Sequence, residues 1–335
     1  MALYFAGPAD GWHMASDALA KLVRARLVAV TAIVVLWLES AISVSALAQA
    51  RDDSAIGSIG LGSRRGLTEG APVRTAPSPD GKESPFEFSF STGFATDYIY
   101  RGTTLSARQP AVGSAVEVAF SQFYAGVAIA RVKLPSEPVA EVTLNTGFRP
   151  KVGNIDFDFA WTYYHYPGER PPLGVVAGID YWQIAGRADT KLGEVLRVAA
   201  GYAYSPNSSN TGAWGQYAAA GLGIDLPRAL LPQNITASLT GGAGYSWFGT
   251  QKAELGGFPL PAYLNWQAGV TFTREKLNLD LRYYDTNLSK ENCFVLTGDP
   301  NASPGGSIDP VRNPEGLTSR WCSATFVAKF WFALN

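Results

Sequence analysis

Phe86-Glu87-Phe88-Ser89-Phe90-Ser91-Thr92-Gly93-Phe94-Ala95-Thr96-Asp97-Tyr98-Ile99-Tyr100-Arg101 alternates in character from residue to residue. Phe86, Phe88, Phe90, Thr92, Phe94, Thr96, Tyr98 and Tyr100 fall on one side, and Glu87, Ser89, Ser91, Gly93, Ala95, Asp97 and Arg101 on the other. Ile99 is the one misfit. Successive side chains of a strand point to opposite faces, so the segment reads as a strand with one oily and one polar face.

The same period returns along the chain. Ile155, Phe157, Phe159, Trp161 and Tyr163 oppose Asp156, Asp158, Ala160, Thr162 and Tyr164. Leu277, Leu279, Leu281 and Tyr283 oppose Asn278, Asp280, Arg282 and Tyr284. Breaking the chain at its turn signals predicts about twelve strands, near 86–101, 110–120, 123–133, 139–149, 153–166, 173–185, 191–205, 213–226, 233–248, 260–274, 276–288 and 318–334. No helical period stands out after residue 86.

Composition narrows what such a chain can be. Of 335 residues, 47% are hydrophobic and 16% charged, against ~25% charged in an average soluble domain. A formal net charge of −1 argues against a nucleic-acid partner, which needs a basic face. Two cysteines cannot staple a disulfide scaffold. The longest apolar run, 27–38, is too short for a membrane helix. Lys21, Arg24 and Arg26 precede that run, and Ala46-Leu47-Ala48-Gln49-Ala50 follows it, the pattern of a cleaved export signal. Residues 1–50 are therefore expected to be an N-terminal extension and signal peptide. Residues 51–85, broken by Pro72, Pro77, Pro79 and Pro85, are expected to be a disordered periplasmic leader. An exported series of alternating strands predicts, for 86–335, an all-β, up-and-down antiparallel transmembrane β-barrel in the bacterial outer membrane, oily outside and polar within.

Aromatic residues gather where odd-numbered strands end, at Tyr98, Tyr100, Tyr163, Tyr202, Tyr204, Tyr245, Trp247 and Tyr283. All those ends point the same way, so they are expected to form a belt at one membrane interface. Links after even strands are mostly short (Ser121-Gln122, Pro150 to Val152, Gly186 to Thr190, Glu275) and links after odd strands mostly longer. Short links are expected in the periplasm and long ones outside, which puts Ser208 outside and Asp189 inside.

Asp97-Tyr98-Ile99-Tyr100-Arg101-Gly102, Tyr163-Tyr164-His165-Tyr166-Pro167-Gly168 and Leu279-Asp280-Leu281-Arg282-Tyr283-Tyr284-Asp285-Thr286-Asn287, followed by Cys293 and a last aromatic strand, resemble the TorF-type porin family. This bacterial outer-membrane family has long been labelled as of unknown function. The resemblance covers roughly residues 86–335 and implies an outer-membrane barrel with a channel role. It brings no catalytic or binding residues.

Charges on the polar face are the expected pore lining: Glu87, Asp97, Arg101, Glu117, Glu141, Arg149, Asp156, Asp158, Asp180, Arg197, Asp280, Arg282 and Lys329. They suggest passive diffusion of small hydrophilic solutes through a mixed-charge, mildly cation-preferring lumen. The competing reading is that the charges pair across a narrow barrel and plug it. Cys293 and Cys322 bracket the last long loop at neighbouring strand ends, so a disulfide is expected there. That loop is a candidate constriction, and Asp299 and Asp309 a candidate calcium pair without supporting spacing.

His165, with Glu169 nearby, lies at an outer strand end, but no G-x-S-x-G appears. The chain is expected not to be an enzyme and to need no cofactor or metal. A structural or adhesive barrel acting through its loops is the alternative function, and a rim hydrolase using His165 a further one. The expected partners are outer-membrane lipid, the solutes and the barrel-assembly machinery.

Overall fold

The computed structural model describes residues 86–170 and 178–334. The expected signal segment and leader lie outside the described residues.

Twelve long strands form the wall. They are β1 (Phe86–Ala95), β2 (Ala111–Phe120), β3 (Phe123–Ala130), β4 (Glu141–Phe148), β5 (Ile155–His165), β6 (Tyr181–Leu192), β7 (Leu196–Ser205), β8 (Gly215–Asp225), β9 (Thr236–Phe248), β10 (Tyr263–Arg274), β11 (Leu277–Thr286) and β12 (Thr325–Leu334). Each pairs antiparallel with its sequence neighbours, from Ala95↔Ala111 at the top of β1–β2 to Leu277↔Phe332 in β11–β12. The last strand then pairs back onto the first, through Phe90↔Leu334 to Ala95↔Lys329. The sheet is therefore a closed up-and-down barrel. Closure satisfies the backbone groups that an open sheet would leave at its edges.

The oily face points out. Phe86, Phe123 and Phe326 are 61%, 61% and 81% exposed, and Val127, Ile129, Phe159, Trp182, Ile184, Leu222 and Leu239 project from the same surface. In water such a surface would be a large aggregation site; facing lipid it is the expected lining of an outer-membrane barrel. Inside, Thr143, Thr162, Gln183, Thr240, Asn265, Gln267, Asp280 and Arg282 are buried.

One end of the barrel carries short turns. Phe120↔Phe123 and Arg274↔Leu277 are joined by two-residue links, with Ser121 and Glu275 at φ 54° and 53°. The opposite end carries the longer connections, the last from Asn287 to Ala324. Within it, α1 (Lys290–Thr297) starts at Ser289, whose side chain accepts from the Asn292 amide, and ends at left-handed Gly298. The expectation of no helix after residue 86 is corrected there.

Two further expectations are corrected. The sixth strand, expected at 173–185, spans Tyr181–Leu192. Gly186 reads as a breaker, but it sits within the ladder opposite Phe159, whose ring covers it. The first strand, expected to run to residue 101, leaves the wall after Ala95.

Candidate functional site in the barrel lumen

Three charged clusters line the half of the lumen next to the short turns. Arg149, just past β4, reaches both neighbouring walls. Its Nη1 and Nη2 donate to Glu117 Oε1 and Oε2 at 2.7 and 3.0 Å, and its Nε to Asp158 Oδ2 at 3.2 Å. Tyr124 donates to the other Asp158 oxygen at 2.7 Å, and the guanidinium lies 3.5 Å from the Tyr124 ring centre. Tyr124 lies against the wall because Gly147 beneath it has no Cβ. On β6–β8, Arg187 pairs with Asp189 at 3.2 Å, and Asp225 receives Arg197 at 2.9 Å and Lys191 at 3.5 Å. On β9–β11, Arg282 donates twice to Asp280, at 2.9 and 2.7 Å, and also to Thr240 and Gln267. Lys329 stands opposite Asp280 in the ladder. Glu87, near the same end of β1, is half-buried.

The first two clusters keep contact with water and the third does not. Side-chain exposure is 22% for Arg149 and for Asp158 and 27% for Asp225, against 2% for Arg282 and 5% for Asp280. Arg187, Asp189, Lys191 and Asp225 are absent from the predicted set. The displaced sixth strand hid Arg187 and Asp189, which fell beyond its expected end, whereas Lys191 and Asp225 lay within expected strands and were passed over.

The long-loop half of the lumen is filled by the first loop. Residues 96–110 turn inward, and Ile99–Tyr100 pairs with Thr103–Thr104 as a small hairpin. At its tip, Arg101 donates to Gln183 of β6 at 3.2 Å and stacks 4.2 Å from the Tyr217 ring of β8. Tyr263 of β10 donates to the Arg101 carbonyl at 3.1 Å. The tip thus touches three separated strands across the lumen. Its root packs Tyr98 with Ala111, Ala130, Val132 and Val327. Tyr98 and Tyr166 each donate at 2.7 Å to Glu141, which is 1% exposed. Sequence reasoning placed Asp97 and Arg101 on a strand face. The structure places them in this inward loop, and the Ile99 misfit is the signal that marks the start of its hairpin.

Asp97 accepts hydrogen bonds from Thr104 and Ser106 at 2.5 and 2.9 Å, while its Oδ2 has no partner among the described residues. Burial pushes its carboxyl above the usual 3.8, and the hydrogen bonds and the Arg108 charge pull back less. A raised folded value means that the stabilisation held by protonated Asp97 is complete below about 3.8 and is lost as pH rises through the raised value. Asp97→Asn should remove that pH dependence. The check is to compare unfolding midpoints of wild type and variant across the acidic range; parallel curves would refute it.

Asp156, opposite Asp189 in the ladder, keeps the lumen face at its short-turn mouth, where it pairs with Lys151 at 3.0 Å. One predicted lining residue lies elsewhere. Asp180 sits at the outer rim, 2.6 Å from His165 Nδ1, and accepts from the Tyr163 hydroxyl at 3.0 Å. Burial raises the Asp180 carboxyl, but His165, the Tyr166 amide and Tyr163 outweigh it and hold it below its usual range. Glu169, expected near His165, accepts from the Ile179 amide.

Of the expected aromatic belt, Tyr163 stacks between Trp161 and His165, Tyr245 tilts against Trp247, and Tyr283 against Phe326 on the outer surface. Tyr202 is exposed and Tyr204 half-buried. Tyr98 and Tyr100 are corrected: they belong to the inward hairpin, because the strand they were assigned to ends before them.

Cys293 and Cys322 form a disulfide. They pack with Trp321, Ala107 and Leu288 over the first loop. The last loop was the expected constriction, but it is the first loop that enters the lumen. Asp299 accepts from Ser319 and the Asn301 amide, and Asp309 from the Val311 and Arg312 amides, so both shape turns.

The family model described as "Bacterial protein of unknown function (Gcw_chp)" matches residues 79–302. The chain belongs to that family. No curated protein matches it. Among solved structures, this Gcw_chp barrel is similar to the NanC porin, at 6% identity, TM-score 0.41 and coverage of 74% of this chain and 100% of that one. It is also similar to LpxR from Salmonella typhimurium, at 9% identity, TM-score 0.37 and coverage of 73% and 99%. The third is OmpTdeltaL8, a loop-deletion mutant of the Vibrio cholerae outer-membrane protein OmpT, at 9% identity, TM-score 0.34 and coverage of 74% and 76%. Likenesses at this level carry no argument about activity. The expectation that the Gcw_chp chain is not an enzyme is withdrawn on the same finding. Only the first of the three is described as a porin, and the barrel fold does not settle enzymatic status.

Proposed function

We propose that the protein is an outer-membrane porin of TorF type that passes small hydrophilic solutes by passive diffusion. The observation that carries this reading is the charged, partly hydrated half of the lumen. Arg149, Glu117, Asp158, Arg187, Asp189, Arg197 and Asp225 line it, and a barrel with a solid core has no use for so many water-accessible ion pairs. Acids and bases alternate around the wall, so the lumen is mixed in charge rather than a single-sign field. The apolar exterior supports insertion into lipid, and the long loops face outward by the habit of such barrels. Delivery to that membrane would use the barrel-assembly machinery.

The test is planar-bilayer recording of the refolded 51–335 chain. Discrete conductance steps in salt are the expected result, and silence both of this chain and of a folded barrel lacking residues 96–110 would overturn the reading. Cysteine labels at Ser208 should react from outside intact cells and labels at Asp189 should not, which checks the orientation independently.

A further inference from the structure

The first loop is held from two sides. From within the lumen, beside the stacking of Arg101 4.2 Å from the Tyr217 ring centre, its tip makes polar contacts: Arg101 with Gln183 at 3.2 Å, Tyr263 with the Arg101 carbonyl at 3.1 Å, and Tyr100 with Gln183 at 3.5 Å. Water can replace each of these once the tip moves. From above, its root is gripped by the segment 320–324 on either side of Cys322. Arg108 Nη1 donates to the Arg320 carbonyl at 2.8 Å, and Nη2 to the Ala324 carbonyl at 3.2 Å. The Thr104 amide donates to the Trp321 carbonyl at 3.0 Å. Those carbonyls are fixed in place because the disulfide ties their segment to α1, and Cys293, Cys322 and Trp321 pack onto Ala107.

The loop also carries unfavourable backbone geometry. Arg101, Ala107 and Arg108 have φ of 50°, 55° and 59°, in the left-handed region that residues with a Cβ avoid. Two of the three lie at the root, where the last loop grips. Strained conformations persist only where the surroundings over-determine them. Here the surroundings are the disulfide-bridged loop. A loop with polar contacts at its tip, left-handed residues at its root and a clamp supplied by the disulfide-bridged loop has the parts of a two-state element.

We propose that the first loop is the gate of the lumen and that the Cys293–Cys322 loop is its latch. Clamping of Arg108 and Thr104 by the 320–324 segment favours the hairpin inside the barrel. Loosening that clamp releases the strain at Ala107 and Arg108 and lets the tip withdraw. The occupant of the lumen mouth is thus set by contacts outside the membrane, and a ligand or surface that pulls on the last loop would open the pore. The inference rests on the channel reading.

Four proteins are recorded in a planar bilayer: wild type, Arg108→Ala, Cys293→Ser/Cys322→Ser, and a barrel with residues 96–110 replaced by Asn-Gly. Arg108→Ala and the double serine variant should each raise open probability, the former by about tenfold or more because it removes charge-assisted bonds to the Arg320 and Ala324 carbonyls. Unit conductance should stay unchanged, since the open state is the same. A fifth protein, Arg101→Cys/Gln183→Cys, is bridged by a short bis-maleimide and should stay closed even when Arg108→Ala is added. If the loopless barrel is silent, the channel reading fails. If the loopless barrel conducts but both latch variants open no more often than wild type, the latch is refuted and the channel stands. Heat-modifiable mobility on gels confirms that each variant is folded, so a misfolded variant does not count as a closed one.

Discussion

Replacing residues 96–110 by Asn-Gly should raise the conductance of the barrel severalfold. The argument begins in the ladder. Ala95 and Ala111 are direct partners at the top of β1 and β2, so what lies between them, past Thr96 with its bonds to Ala328 of β12, is an excursion from the wall. A two-residue Asn-Gly link joins paired strand ends in the turn type whose twist matches the strands. The wall therefore keeps its register when the excursion is removed. What is lost is the hairpin whose tip reaches β6, β8 and β10, together with the buried side chains of its root. Resistance of a narrow pore is dominated by its tightest section, so removing that section dominates the change in current. Glu141 loses one of its two phenol donors in this variant, so Glu141→Gln is included to keep an uncompensated charge out of the lumen. An unchanged mean current per folded barrel would show that the hairpin does not obstruct the path.

Arg282→Leu should destabilise the barrel by about 3–5 kcal/mol, the cost typical of breaking a buried ion pair from one side. Arg282 and Asp280 point the same way from β11 because they are two residues apart on one strand. Both are shielded from solvent, and Arg282 also satisfies Thr240 of β9 and Gln267 of β10. Leucine leaves the Asp280 carboxylate with Thr271 alone from this cluster, near Lys329 in the neighbouring strand. Denaturant unfolding in micelles, followed by tryptophan fluorescence, reads the loss. Asp280→Asn combined with Arg282→Leu should lose less than the sum of the single variants, because the first change removes the stranded charge. A single-variant loss below about 1 kcal/mol would mean that water reaches the pair and screens it.

The wall was legible because each strand repeats one physical rule, apolar toward lipid and polar toward the lumen, for which the period of two is sufficient evidence. The two-residue links at Ser121 and Glu275 follow from the same ladder, since paired strand ends are necessarily close, and the disulfide, expected at strand ends, forms from a helix that follows one of them. Three things were not legible. Gly186 has the composition of a turn, and only the Phe159 ring on the adjacent strand makes it a wall residue. Asp180 has the composition of a lining residue, but His165 and Tyr163 on the outer face draw it to the rim. The inward path of 96–110 depends on partners more than eighty residues away, such as Gln183, and no local pattern encodes those. Ile99 broke the alternation where the inward hairpin begins, so the exception carried the information that the regular positions did not.

The seam between β1 and β12 joins the two strands farthest apart in sequence, Phe90 meeting Leu334. Every other strand of the wall finds its partner next to it along the chain. Until the seam forms, β1 and β12 each present an unpaired row of amides and carbonyls, a template for any passing strand. The order of assembly is thereby constrained: hairpins form locally and quickly, while the circle is completed by the slowest and most entropically costly contact. An escort that shields those two edges, or that offers a strand of its own to one of them, would act at the step where this barrel is most exposed to misassembly.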